Sequence, residues 1–112
     1  MRLAKIYNFD AAHKLPDHER VHGHSYEVEI MLESHEGGDY VVPMDEMDEA
    51  VKAAIAQVNN IYLNSIMKMP TMENIARWFW KELENLPLVQ ITILRPSLKM
   101  RCVYDGKEKA PQ

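Results

Sequence analysis

His22 and His24, set one residue apart in His22-Gly23-His24-Ser25-Tyr26, are the residues most able to do chemistry in this chain. They lead into Tyr26 to Leu32 (Tyr-Glu-Val-Glu-Ile-Met-Leu), whose period-2 alternation is that of a half-buried strand. In a strand, residues i and i+2 face the same side, roughly 6.5 to 7 Å apart. Two imidazoles so placed can converge on one ion, and Gly23 adds no side chain between them. The register also puts both on the face of Val28, Ile30 and Leu32, turned toward the core or a cavity in it. A third imidazole, His13, closes another alternating stretch, Leu3 to Ala12. Three histidines form a recurring zinc shell that leaves a fourth position for water or substrate, the catalytic form of such a site. The pair alone also fits two ordinary strand histidines with no metal, and His13 on a neighbouring strand shifts the balance toward a metal. His35 falls in the polar turn Ser34 to Asp39 and reads as solvated.

The elements that must position these side chains follow from periodicity. After the strand ending at Ala12 comes a charged loop, Lys14 to Val21, containing Pro16, and then the strand Tyr26 to Leu32. Met44 to Val58 changes period. Met47, Val51, Ile55 and Val58 form one stripe of an amphipathic helix, with Asp45, Glu46, Asp48 and Glu49 loading the positive end of its dipole. Asn59-Asn60 stops it. A second helix starts after Pro70 with Thr71 as N-cap and Glu73 or Asn74 in its first turn. It turns Ile75, Phe79, Leu83 and Leu86 inward and ends by Pro87. Trp78 and Trp80 straddle that stripe and suit helix-to-sheet or subunit packing. Leu88 to Leu94 and Leu98 to Tyr104 read as the last strands, parted by Arg95-Pro96-Ser97, and Asp105 to Gln112 as a poorly ordered polar tail. The order β-β-α-α-β-β predicts an α+β domain: a four-stranded antiparallel sheet with both helices on one face.

At 112 residues with 46% hydrophobic content, the chain reads as a single domain, 1–112, with a small core, which favours burial shared between subunits. A net charge of −4 without a basic cluster argues against nucleic acid. The single cysteine, Cys102, excludes an internal disulfide, and Met1 to Lys5 opens a strand-like pattern in place of an apolar leader. No apolar run approaches the roughly 20 residues that cross a bilayer. These features together predict a cytoplasmic protein without a membrane partner.

Four blocks carry a resemblance: Phe9-Asp10-Ala11-Ala12-His13, His22-Gly23-His24-Ser25-Tyr26, Tyr62-Leu63-Asn64, and Pro70-Thr71-Met72-Glu73-Asn74-Ile75-Ala76. In order and spacing they resemble the signature blocks of the 6-pyruvoyl tetrahydropterin synthase family, which includes the 6-carboxytetrahydropterin synthases of queuosine synthesis. The resemblance spans Phe9 to about Tyr104 and places the family's zinc ligands on His13, His22 and His24. It implies a tunnelling fold, in which sheets of several subunits join into a barrel with the pterin site at an interface. The homo-oligomer it implies is trimer-based: a trimer, or a hexamer made of two trimers. It also implies a Zn²⁺-dependent lyase acting on the side chain of 7,8-dihydroneopterin triphosphate or a related dihydropterin, with Thr71 and Glu73 contacting the pterin.

The family's usual base is a cysteine four residues before His22, which here is His18. A subgroup carries a glutamate three residues before that histidine, and Glu19 matches it. In those proteins the resemblance implies cleavage to 6-hydroxymethyl-7,8-dihydropterin, with Glu19 as base and His18 as the second candidate. Other positions depart from the pattern. The family's Asp-His pair is Asn59-Asn60, its aspartate before the first helix is Pro43, and its ring-anchoring glutamate, expected just before Pro96, falls on Leu94. Leu94 cannot accept N–H donors, and Arg95 can only donate. The alternative function is therefore a catalytically degenerate, repurposed zinc-binding oligomeric homologue.

Overall fold

The computed structural model describes residues 1–17 and 20–109. Two long strands, β1 (Arg2–His13) and β2 (His22–Glu33), pair antiparallel along their whole length. Next come α1 (Met44–Val58), a two-residue strand β3 (Ile61–Tyr62), α2 (Met72–Glu82), β4 (Leu88–Arg95) and β5 (Met100–Tyr104). The sheet order is β3-β1-β2-β4-β5. Its four long strands are antiparallel, whereas β3 lies parallel to β1 beside Ala11 and Ala12. The expected four-stranded antiparallel sheet is thus a five-stranded mixed one. Ile61 and Tyr62 are too short and too exposed to give a period-2 signal.

One face of the sheet supplies the core. Tyr7, Phe9 and Ala11 of β1, Tyr26, Val28, Ile30 and Leu32 of β2, and Ile91 and Ile93 of β4 are buried with Met47, Val51 and Val58 of α1 and Ile75, Ala76 and Phe79 of α2. Aromatic contacts tie this layer together: Phe9 stacks on Tyr26 at 4.9 Å between ring centroids and meets Phe79 at 5.6 Å. Both helices follow their apolar stripes as expected, although α2 ends at Glu82 and Leu83 becomes its C-cap, short of Pro87. Asp48 does more than load the helix dipole. Its Oδ1 accepts from Lys5 Nζ at 2.8 Å and from the Tyr7 hydroxyl at 2.6 Å, pinning α1 to β1.

The final strand starts at Met100 rather than Leu98, because Pro96–Leu98 form a 3₁₀ turn and Lys99 takes a left-handed φ of 55°. The segment after β5 is docked along its described part, contrary to the expected poor order. Glu108 accepts from two of the three Arg77 nitrogens, Nε at 2.7 Å and Nη2 at 2.9 Å. Gly106, at φ 75°, lies so close to the Trp80 ring that a Cβ would overlap it. Trp80 in turn meets Tyr104 edge-on at 5.4 Å, which places this tryptophan in helix-to-sheet packing. Among the described residues no helix is long and apolar enough to cross a membrane.

Candidate metal centre

Register builds the site. His13 sits directly opposite His22 across the β1–β2 pair, and Ala11 opposite His24. Cross-strand partners share a face, as do residues i and i+2, so the backbone alone sets the three imidazoles in a triangle on the core side. A slip of one residue between the strands would turn the histidines of one strand to the opposite face and part His13 from His22 and His24. Both strands run further than their alternation indicates. β1 includes His13 and β2 starts at His22, so all three histidines are strand residues.

The three rings lie 4.8 Å apart, centroid to centroid, in every pair, with interplanar angles of 80°, 87° and 79°. His24 Nε2 lies 3.0 Å from His13 Nε2. One ligand atom from each histidine falls within 4.8 Å of the other two. Tetrahedral coordination at the usual Zn–N length of about 2.0–2.1 Å needs nitrogens roughly 3.3 Å apart, so the donor set fits an ion with modest tightening or spreading. His13 is 3% exposed, and His22 and His24 are half-buried. Burial foremost, then the positive charge of Arg95 and the neighbouring imidazoles, pushes His24 down to about 4. It is therefore neutral at physiological pH, the form that offers a lone pair to a metal.

What lies behind the rings is as telling. His13 Nδ1 is 2.9 Å from the Pro70 carbonyl and His22 Nδ1 is 2.9 Å from the Arg20 carbonyl. A carbonyl accepts only, so each Nδ1 carries the proton and each Nε2 is left as ligand, the usual outer arrangement of a metal-binding histidine. Two of the signature blocks hold the end of β1 and the Pro70 carbonyl in place. Asn64 Oδ1 accepts from Lys14 N and its Nδ2 donates to Lys14 O, both at 2.8 Å, clamping the residue after His13. Thr71 Oγ1 caps α2 by accepting from Asn74 N, and Asn74 Nδ2 donates to Met69 O at 2.7 Å, which sets the turn that presents Pro70.

His24 is backed differently. Its Nδ1 faces Arg95 Nη2 at 2.6 Å, and a guanidinium only donates. Arg95, at the end of β4, is the residue that reaches the centre, whereas Leu94 belongs to the opposite face of that strand. Sequence reading dismissed Arg95 for lacking an acceptor and so missed it; strand parity with buried Ile91 and Ile93 was the available signal.

Of the remaining predicted site residues, Thr71 stands one residue from Pro70 and Glu73 is exposed in the first turn of α2. Glu19 and His18 lie outside the described residues. Asn59 and Asn60 serve the fold: Asn59 Oδ1 accepts from Asp10 N at 3.0 Å, and Asn60, at φ 58°, donates its N–H to Asp10 O. Gly23 is not needed for lack of space, since a Cβ there would stand 3.8 Å from the Ala11 carbonyl oxygen, an ordinary contact.

The model of the family described as 6-pyruvoyl tetrahydropterin synthase matches residues 2–105. The chain belongs to the 6-pyruvoyl tetrahydropterin synthase family. Dihydroneopterin monophosphate aldolase of Pyrococcus furiosus is 35% identical over 92 residues, which cover 78% of this chain and 81% of that protein. The 6-carboxy-5,6,7,8-tetrahydropterin synthase of Synechocystis is 34% identical over 98 residues, covering 73% and 74%. The fold of the 6-pyruvoyl tetrahydropterin synthase of Caenorhabditis elegans superposes with a TM-score of 0.81 at 18% identity, covering 96% of each chain. Membership in the 6-pyruvoyl tetrahydropterin synthase family connects the triangle of histidines with pterin chemistry.

Proposed function

We propose that the protein is a zinc-dependent lyase that cleaves the side chain of a 7,8-dihydroneopterin. The observation that carries this reading is the triangle of imidazoles with His13 and His22 fixed on carbonyls, in a chain 35% identical to a dihydroneopterin monophosphate aldolase. His13, His22 and His24 hold the ion. Zinc bound there supplies a Lewis acid that acidifies the side-chain hydroxyls.

The bond changes are those of a retro-aldol reaction. Glu19, with His18 as the second candidate, takes the proton of the 2′-hydroxyl. The C1′–C2′ bond breaks, C2′ becomes an aldehyde carbonyl, and the released electron pair enters the conjugated C6–N5 imine. A proton returned to C1′ completes 6-hydroxymethyl-7,8-dihydropterin, and no oxidant is needed. Glu73 is suited to accept the two N–H donors of the aminopyrimidinone edge, with Thr71 beside it next to the turn that holds His13. The site is completed by a neighbouring subunit of a homo-oligomer, a trimer or a hexamer made of two trimers.

The test incubates zinc-loaded protein with 7,8-dihydroneopterin and its mono- and triphosphate, oxidises the mixture and separates the fluorescent pterins. The expected product is 6-hydroxymethylpterin, and Glu19→Gln should lower turnover roughly 10² to 10⁴-fold at unchanged zinc content. Full activity in Glu19→Gln with an inactive His18→Ala would move the base to His18. Absence of any product from the parent protein would instead favour the repurposed zinc-binding homologue.

A further inference from the structure

Glu73 and Arg77 stand four residues apart on α2 with the acid nearer the N-terminus, the order in which a glutamate and an arginine pair best along a helix. Arg77 turns elsewhere. It gives Nε to Glu108 Oε1 at 2.7 Å and Nη2 to Glu108 Oε2 at 2.9 Å, and its Nη1 goes to Asn74 Oδ1 at 2.7 Å. Among the described residues Glu73 is left with no hydrogen bond or ion pair. It stays near enough for its charge to reach the guanidinium. Arg77 is held above its ordinary pKa foremost by the hydrogen bonds to Glu108, and Glu73 adds to that pull.

Glu108 can hold Arg77 because the segment that carries it is fixed. Gly106, at φ 75°, lies so close to the Trp80 ring that no side chain fits there, and Lys107 N donates to Asp105 Oδ1 at 2.9 Å. The Tyr104 hydroxyl reaches Glu108 Oε1 at 3.4 Å. The carboxylate then meets the guanidinium in two parallel hydrogen bonds, a stronger match than one exposed ion pair along a helix. We propose that Glu108 is a positioning residue of the substrate site: by holding Arg77, it keeps the Glu73 carboxylate open to the N–H donors of the pterin ring. This rests on the pterin-lyase reading and adds to it the device that keeps the ring acceptor free. A carboxylate paired with a guanidinium must give up that partner before it accepts from a neutral ring, so ligand affinity falls with the fraction of Glu73 left unpaired.

The experiment compares parent, Glu108→Ala, Arg77→Gln and the double variant. It measures the Kd of 6-hydroxymethylpterin by fluorescence titration, and KM and kcat on 7,8-dihydroneopterin monophosphate. Glu108→Ala releases Arg77 onto Glu73 and should raise Kd and KM about two- to sixfold, the effect of an exposed ion pair, with kcat changed less than about twofold. Arg77→Gln should bind as the parent does. Added to Glu108→Ala it should restore parental binding, since no cation is left to cover Glu73. A tail that served folding alone would leave the double variant as weak as Glu108→Ala, and that result, or parental binding in Glu108→Ala, would overturn the proposal. Crystal structures give a second readout: Arg77 should come within about 4 Å of a Glu73 oxygen in Glu108→Ala and not in the parent. If the parent neither binds nor converts these pterins, the lyase reading fails by itself. The structures still decide whether Glu108 keeps Arg77 off Glu73, and an Arg77 that stays clear of Glu73 in Glu108→Ala would overturn that.

Discussion

Asn64 shows how one side chain can position a centre that it does not touch. By pairing with both backbone groups of Lys14 it substitutes for a neighbouring strand just where β1 ends, and so holds the orientation of His13. Asn64→Leu, similar in size but unable to hydrogen-bond, should cost about 1 kcal/mol in urea unfolding, because water can replace part of what is lost at this exposed position. It should also weaken zinc binding in chelator competition. His24→Ala should abolish stoichiometric zinc by metal analysis, and unchanged metal content there would remove the three-histidine assignment. The contrast between Leu94 and Arg95 shows the limit of one-dimensional alignment: a shift of one residue along a strand exchanges a side chain on the far face for one against His24.

Among the elements, the two long strands and both helices were legible from period alone, since each buries one clean stripe. The histidine triangle was legible as a set, because i and i+2 spacing is a backbone property. Its register was not, because nothing in Lys14 to Val21 reports that His13 will stand opposite His22. The docked tail was hidden for another reason: Glu108 and Gly106 look like surface composition until Arg77 and Trp80 are placed beside them. Gly106→Ala should therefore destabilise the fold, by the strain of a left-handed φ together with the clash at Trp80, detectable as a lower midpoint in thermal unfolding. Thr71→Ala should cost about 1 kcal/mol for the lost helix cap. The Asp48 clamp adds a pH dependence. Hydrogen bonds from Lys5 and then Tyr7 hold its carboxyl below the usual aspartate range. A depressed folded pKa contributes stability that is present above the unfolded value of 3.8 and lost as pH falls through the folded one. Urea unfolding should show this acid-side loss in the parent, reduced in Asp48→Asn.

For the whole molecule, the sheet ends in two open edges, β5 on one side and most of β1 on the other, where β3 covers only Ala11 and Ala12. Ile6, Met100 and Val103 expose 48%, 51% and 54% of their surface along those strands, which sets apolar side chains beside unpaired backbone groups. The proposed closure of several sheets into a barrel would satisfy both edges at once. Light scattering should give a multiple of three chains, and a stable monomer at micromolar concentration would contradict a barrel and an interface site together. The central claim, that three imidazoles hold one ion with a position left open, is tested most directly by X-ray absorption at the zinc edge of stoichiometrically loaded protein. The account predicts three imidazole nitrogens and one further light ligand at about 2.0–2.1 Å. A sulfur neighbour at about 2.3 Å, which among the chain's cysteines only Cys102 could supply, or fewer than three imidazoles on the ion, would contradict it.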